Sequence, residues 1–151
     1  MAVVLDEPVR SWLQEARFWT VGTLNADGGP QLTPMWVGLE TVDGVERIVM
    51  NTSTGRVKEE NLRRDPRLSL CCFDTVNPYD RIEIRGRAVG FVEGDEAVRI
   101  MDRLARKYLN TEKFPWLVDG ENRVAVLIEP DHIRRAVGVE PFRPGVLATE
   151  R

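Results

Sequence analysis

The run Asn51-Thr52-Ser53-Thr54-Gly55-Arg56-Val57-Lys58 holds the residue types that bind a phosphate. Four amide or hydroxyl side chains precede a glycine. Two cations follow, two residues apart, where helical spacing begins. Hydroxyls and the free N–H groups of a helix N-terminus donate hydrogen bonds to an anion, and the helix dipole favours negative charge there. An arginine grips phosphate through two parallel bonds, and a lysine adds a point charge. The same residues also suit a capped surface helix with solvated charges. A second feature is Thr33-Pro34-Met35-Trp36, which puts a proline inside a segment of strand character. Proline donates no ladder hydrogen bond, so it belongs at an edge or a bulge. Backbone groups beside it are then free for a partner such as the pyrimidine edge of a flat heteroaromatic ring. An edge strand carrying a buried tryptophan fits these residues too.

Other chemistries find little support. His132 is the single histidine and follows Pro130-Asp131 near an expected strand bend. Without a Cys or Ser partner it reads as structural. No G-x-S-x-G, Walker A or G-x-G-x-x-G sequence occurs. Acidic residues are scattered, so no glycosidase pair can be picked out. Cys71 and Cys72 are neighbours, and strand neighbours point to opposite faces, which disfavours a disulfide between them. With one histidine in the chain they make no zinc site. They read as small strand residues in a reducing cytoplasm. No catalytic residue stands out, and no metal is expected.

The chain has 151 residues, enough for one domain and one core. Hydrophobic residues make up 42% and charged residues 30%, a globular balance. The net charge of -3 argues against nucleic acid as the main partner. No stretch approaches the ~20 apolar residues of a membrane span. Asp6 and Glu7 come early with no long apolar region, unlike a signal peptide, so a cytoplasmic location is expected.

The elements that must position the two features follow from periodicity. Residues 6–17 read as a helix capped by Asp6, with Val9, Trp12, Leu13 and Ala16 on one face. Strands are expected over 18–25, 31–41 and 46–51, with a hairpin at Asp43-Gly44. A helix over 56–64 is stopped by Asp65-Pro66. Strands over 67–74 and 81–93 precede a helix over 94–108 with Ala97, Ile100, Met101, Leu104 and Tyr108 on one face. The last strand covers 123–129 and 132–139, interrupted at Pro130-Asp131, and residues 141–151 form a tail. Short turns between consecutive strands favour antiparallel pairing. The expected architecture is mainly β: a six-stranded antiparallel barrel, closed or partly open, with peripheral helices, in a domain of residues 1–140.

Gly29-Pro30-Gln31-Leu32, then Asn51-Thr52, Gly55-Arg56-Val57-Lys58 and Asn61-Leu62-Arg63-Arg64-Asp65-Pro66-Arg67, resemble the pyridoxamine-phosphate-oxidase-like split barrels. Within them the chain is similar to the flavin/deazaflavin oxidoreductase branch, often described as probable F420-dependent enzymes. The resemblance runs from about Trp12 to Val139. It implies an FMN-binding split-barrel fold and a homodimer with cofactors held between subunits. The cofactor would be coenzyme F420, or alternatively FMN, serving hydride transfer to a small-molecule substrate. It implies that Arg56 and Lys58 meet the cofactor phosphate, helped by Thr52 and Ser53. Asn51 and Val57 belong to the same run, and Asn61 supports it from the helix. Thr33, Pro34, Met35 and Trp36 would line the ring system, with Tyr79 near the ring, from the other subunit in one arrangement. Arg63, Arg64 and Arg67 would attract the acidic tail of F420, unless Glu59, Glu60 and Asp65 offset them. The segment Val139-Glu140-Pro141-Phe142-Arg143-Pro144-Gly145 lacks the Trp- and Arg-rich ending of true pyridoxamine phosphate oxidases, which disfavours vitamin B6 oxidation. A non-catalytic flavin or haem protein, using His132 for haem, is the rival of another class.

Overall fold

In the computed structural model, residues 3–138 are described. Helix α1 spans Val9–Gln14, and strands β1 to β4 span Phe18–Leu24, Pro30–Trp36, Gly38–Val42 and Val45–Ser53. Helix α2 (Val57–Arg64) precedes β5 (Arg67–Phe73) and β6 (Arg81–Glu93). Helix α3 (Gly94–Leu109) leads to β7 (Arg123–Ala136). The strands form one antiparallel sheet in the order β2-β1-β5-β6-β7-β4-β3.

The mainly β split-barrel architecture is as expected, but the described residues form seven strands instead of six, and no ladder among them closes the sheet. The reason lies at Val37. The segment expected as one strand over 31–41 breaks there into β2 and β3, which form opposite edges of the sheet. The Val37 N–H donates to the Tyr108 hydroxyl (3.1 Å) and its carbonyl accepts from Lys107 Nζ (2.5 Å), so side chains of α3 replace ladder partners. Pro34 lies on edge strand β2, where its missing N–H costs no inner ladder bond.

Two apolar clusters hold the sheet. One gathers Trp19, Ile48, Met50, Leu70, Ile82, Ile84, Val126 and Ile128. The other packs Ala97, Ile100, Met101 and Leu104 of α3 against Val49, Ala125 and Leu127. Residues 48–53 of β4 are therefore buried on both faces. Asp43 and Gly44 take φ of 50° and 78°, as the two-residue hairpin requires.

Helix α1 is shorter than expected, and Asp6 does not cap it. Pro8 takes the cap position without a side-chain bond, and the Asp6 carboxylate pairs with Arg135 at 2.8 Å. Ala16 falls beyond the helix and is exposed. Strand β7 runs through Pro130-Asp131 without interruption. Arg85 pairs with His132 and Gly86 with Pro130, so Asp131 is an extra bulge residue. Val139 and the tail over 141–151 lie outside the described residues. No helix among those described is long and apolar enough to cross a membrane.

Candidate functional site

Strand β4 ends at Ser53, and Thr54-Gly55 turns the chain into α2. Gly55 takes φ +85°, a conformation costly for other residues, which lets Arg56 cap α2 and Lys58 enter its first turn. Lys58 is half-buried. Burial pushes its ammonium below the usual lysine pKa, and the neighbouring positive charges of Arg56 and Arg123 push the same way. Among the described residues, neither Arg56 nor Lys58 has a carboxylate within ion-pair distance.

Arg123 was not anticipated, although it pairs with Ser53 in the β4–β7 register. It is buried and fully engaged. Its Nε donates to Asn51 Oδ1 (2.9 Å), and Nη1 donates to Ser53 Oγ (3.0 Å) and Glu121 Oε1 (2.8 Å). Its Nη2 lies 3.4 Å from Met101 Sδ, and the guanidinium sits 5.3 Å from the Phe114 ring centroid. Ser53 Oγ also donates to Glu121. That bond, with the charge of Arg123, holds the Glu121 carboxyl below its ordinary pKa against the opposing effect of burial. Asn51 Nδ2 donates to the Ala97 carbonyl at 2.8 Å. Asn51 and Ser53 thus serve the network under the cations, and Thr52 is buried beside them.

Asn51 joins this network to a cavity of about 220 Å³. Pro34, Met35 and Trp36 line one side, and Phe18, Met101, Leu104, Phe114 and Trp116 complete the wall. The Trp36 ring stacks on Tyr108 with centroids 5.0 Å apart and planes 6° apart. Phe114 meets Trp36 and Trp116 edge-on at 6.1 and 5.7 Å. Asn51 is the one amide in an otherwise apolar lining.

The remaining expected residues fall elsewhere. Thr33 lies on β2 but does not line the cavity. Val57 is exposed at the start of α2. Asn61 is buried and ties α2 to the end of β1 through Thr23 Oγ1 (3.0 Å) and Asn25 Oδ1 (2.9 Å). Tyr79 is exposed in the loop between β5 and β6 and does not line the cavity. Arg63 pairs with Glu59 and Glu93, and Arg67 with Asp65, while Arg64 donates to Leu24 O and Asn61 Oδ1. Those three arginines are spoken for within the chain. His132 is exposed on β7, where it lines a larger hollow of about 660 Å³ on the outer sheet face with Leu32, Arg67 and Arg85. Neither Arg56 nor Lys58 lines that hollow or the aromatic cavity. Among the described residues, no three of His, Cys, Asp or Glu cluster as metal ligands.

Residues 5–135 match the protein family described as pyridoxamine 5'-phosphate oxidase. The chain belongs to this family. Among solved structures of similar shape is an F420 reductase, 26% identical, with a TM-score of 0.71 over 85% of this chain and 98% of that one. A conserved hypothetical protein, Rv2991 from Mycobacterium tuberculosis, is also 26% identical, with a TM-score of 0.70 over 96% and 94% of the two chains. A putative pyridoxamine 5'-phosphate oxidase from Listeria innocua, 20% identical, shares the fold at a TM-score of 0.55 over 79% and 87%. No curated protein matches the chain. Among the described residues of this pyridoxamine 5'-phosphate oxidase-family chain, the cation pair and the aromatic cavity are two features with residue types suited to binding.

Proposed function

We propose that this protein is an oxidoreductase that holds a flavin-type cofactor, coenzyme F420 in preference to FMN, and passes hydride to a small organic substrate. The observation that carries the reading is Lys58. A half-buried ammonium flanked by two further cations, with no carboxylate of its own among the described residues, is costly without an anion. A phosphate would remove that cost, and a flat ring suits the neighbouring aromatic cavity. The residues present therefore fit a phosphate-bearing flavin.

Arg56 and Lys58 would hold the phosphate at the N-terminus of α2, and Pro34, Met35, Trp36 and Asn51 would hold the ring. Hydride chemistry is what such a cofactor supplies when bound. The chain's part is to orient the reactants against the wall of Phe18, Phe114 and Trp116. No acid–base dyad is required of the protein. The proton that completes reduction would come from solvent, since Tyr79 stands outside the cavity wall. The preference for F420 rests on the F420 reductase of similar structure, because Arg63 and Arg67 are already ion-paired. A homodimer in the cytoplasm completes the proposal.

The test is a titration with F420 and with FMN, followed by quenching of the four tryptophans. Tight F420 binding and weak FMN binding are expected. The reverse result would assign the protein to FMN, and no binding of either would end the cofactor reading. Lys58→Ala should weaken binding by about 1–3 kcal/mol, the scale of a charge-assisted hydrogen bond. Unchanged affinity in both Lys58→Ala and Arg56→Ala would remove the phosphate site.

A further inference from the structure

The loop between α3 and β7 is pinned at both ends. At its start the Phe114 N–H donates to Asp102 Oδ1 at 2.9 Å. At its end the Glu121 carboxylate accepts from Ser53 and Arg123, and the Asn122 carbonyl accepts from the Thr54 N–H at 2.9 Å. Glu121 also closes a turn with Val118: its N–H donates to the Val118 carbonyl (3.0 Å) and its Oε2 accepts from the Val118 N–H (3.3 Å). Between the pins the loop carries Phe114 and Trp116 to the cavity wall, and Trp116 keeps a large exposed surface. One continuous series of contacts runs from Glu121 through Arg123 to Phe114, and from Phe114 to Trp116 and Trp36.

We propose that Glu121 is a positioning and specificity residue: it fastens the aromatic strap over the ring cavity while cancelling the charge of Arg123 beneath the phosphate site. The inference rests on the two-part site proposed above and adds a residue that acts on its halves in opposite directions. The carboxylate steadies Phe114 and Trp116, which favours a flat apolar group. It also neutralises the third cation behind Lys58, which limits anion affinity. Those two effects separate a positioning role from a merely structural one, since general loosening of the fold would weaken both ligands together.

The experiment uses the full chain and two probes that each report one half. Riboflavin carries the ring without phosphate, and inorganic pyrophosphate carries phosphate without a ring. In Glu121→Gln the shape is kept and the charge is lost, so Arg123 is uncompensated. Pyrophosphate should then bind about fivefold tighter and riboflavin about fivefold weaker, each equal to ~1 kcal/mol. Trp116→Ala should weaken riboflavin alone, and Glu121→Asp should restore the charge and return pyrophosphate to the wild-type value. Thermal melts confirm that each variant is folded. Both affinities falling together, or riboflavin binding unchanged in Glu121→Gln, would overturn the proposal. If wild type binds neither probe, the two-part site itself fails and the role of Glu121 falls with it. That outcome is distinguishable because it appears before any substitution is made.

Discussion

Lys107 shows how one residue can join three segments. Its Nζ donates to the Leu13 carbonyl in the last turn of α1 (2.9 Å) and to the Val37 carbonyl at the β2–β3 break (2.5 Å), and it lies 4.8 Å from the Tyr108 ring centroid. Burial pushes its pKa down to about 8, while an unfolded lysine titrates near 10.4. The sign of the pH effect follows. Between about pH 8 and pH 10 the unfolded chain holds more protons at this site, so the lysine's contribution to stability rises with pH. Both carbonyl bonds survive, because a neutral amine still has two N–H donors. Wild type should therefore gain stability relative to Lys107→Met when urea midpoints are compared at pH 7 and pH 10. A constant gap between the two proteins would show that Lys107 titrates normally. At this scale the sequence exposed the local run and hid the remote partners. Arg56 and Lys58 sit in one contiguous segment whose residue types name their own chemistry. Arg123 and Glu121 lie some seventy positions away, and no local pattern sets them apart from the other arginines and glutamates. Only the register of Ser53 with Arg123 brings them into the site.

Among the elements, those with a clear period or breaker were legible. Helix α3 buries the face its spacing marks, and α2 stops at Asp65-Pro66 as expected. The break at Val37 was not legible, because its cause is a lysine and a tyrosine on a helix seventy residues later. The interruption expected in the last strand at Pro130-Asp131 is absent for a different reason. Proline suggested an interruption, yet a bulge absorbs it, and a second bulge at Val89 accompanies it between Ala88 and Gly90. Gly86 makes the first bulge possible. A Cβ there would stand 2.4 Å from the Glu129 carbonyl oxygen and 3.1 Å from Pro130 Cα, both backbone atoms that cannot swing aside. Gly86→Ala should therefore force the two longest strands apart and cost about 1–3 kcal/mol, the usual scale of an overpacked site. The readout is the denaturant midpoint. A midpoint within error of wild type would mean that the bulge yields freely.

At the scale of the whole molecule, the outer sheet face raises the question of what covers it. The inner positions of β1, Trp19, Val21 and Thr23, are buried, while the opposite face carries large apolar groups in the open. Phe18, Leu32 and Phe73 are 63%, 66% and 53% exposed on neighbouring strands β1, β2 and β5. On the far side of the same face stand Arg81, Glu83, Arg85 and Arg134, cations mixed with one carboxylate. A two-fold axis would let an apolar patch meet its own copy and would leave the charges toward the rim. The proposed homodimer therefore places a second copy on this face. Sedimentation equilibrium at micromolar concentration should give twice the 17.2 kDa chain mass. Leu32→Glu would bury two carboxylates against each other in such an interface, so it should give a folded monomer with unchanged circular dichroism. If the cofactor is held between subunits, that monomer should also lose affinity for F420 and FMN with Arg56 and Lys58 intact. A dimer that persists in Leu32→Glu would place the contact elsewhere. A monomer that binds cofactor as tightly as wild type would show that one chain completes the site.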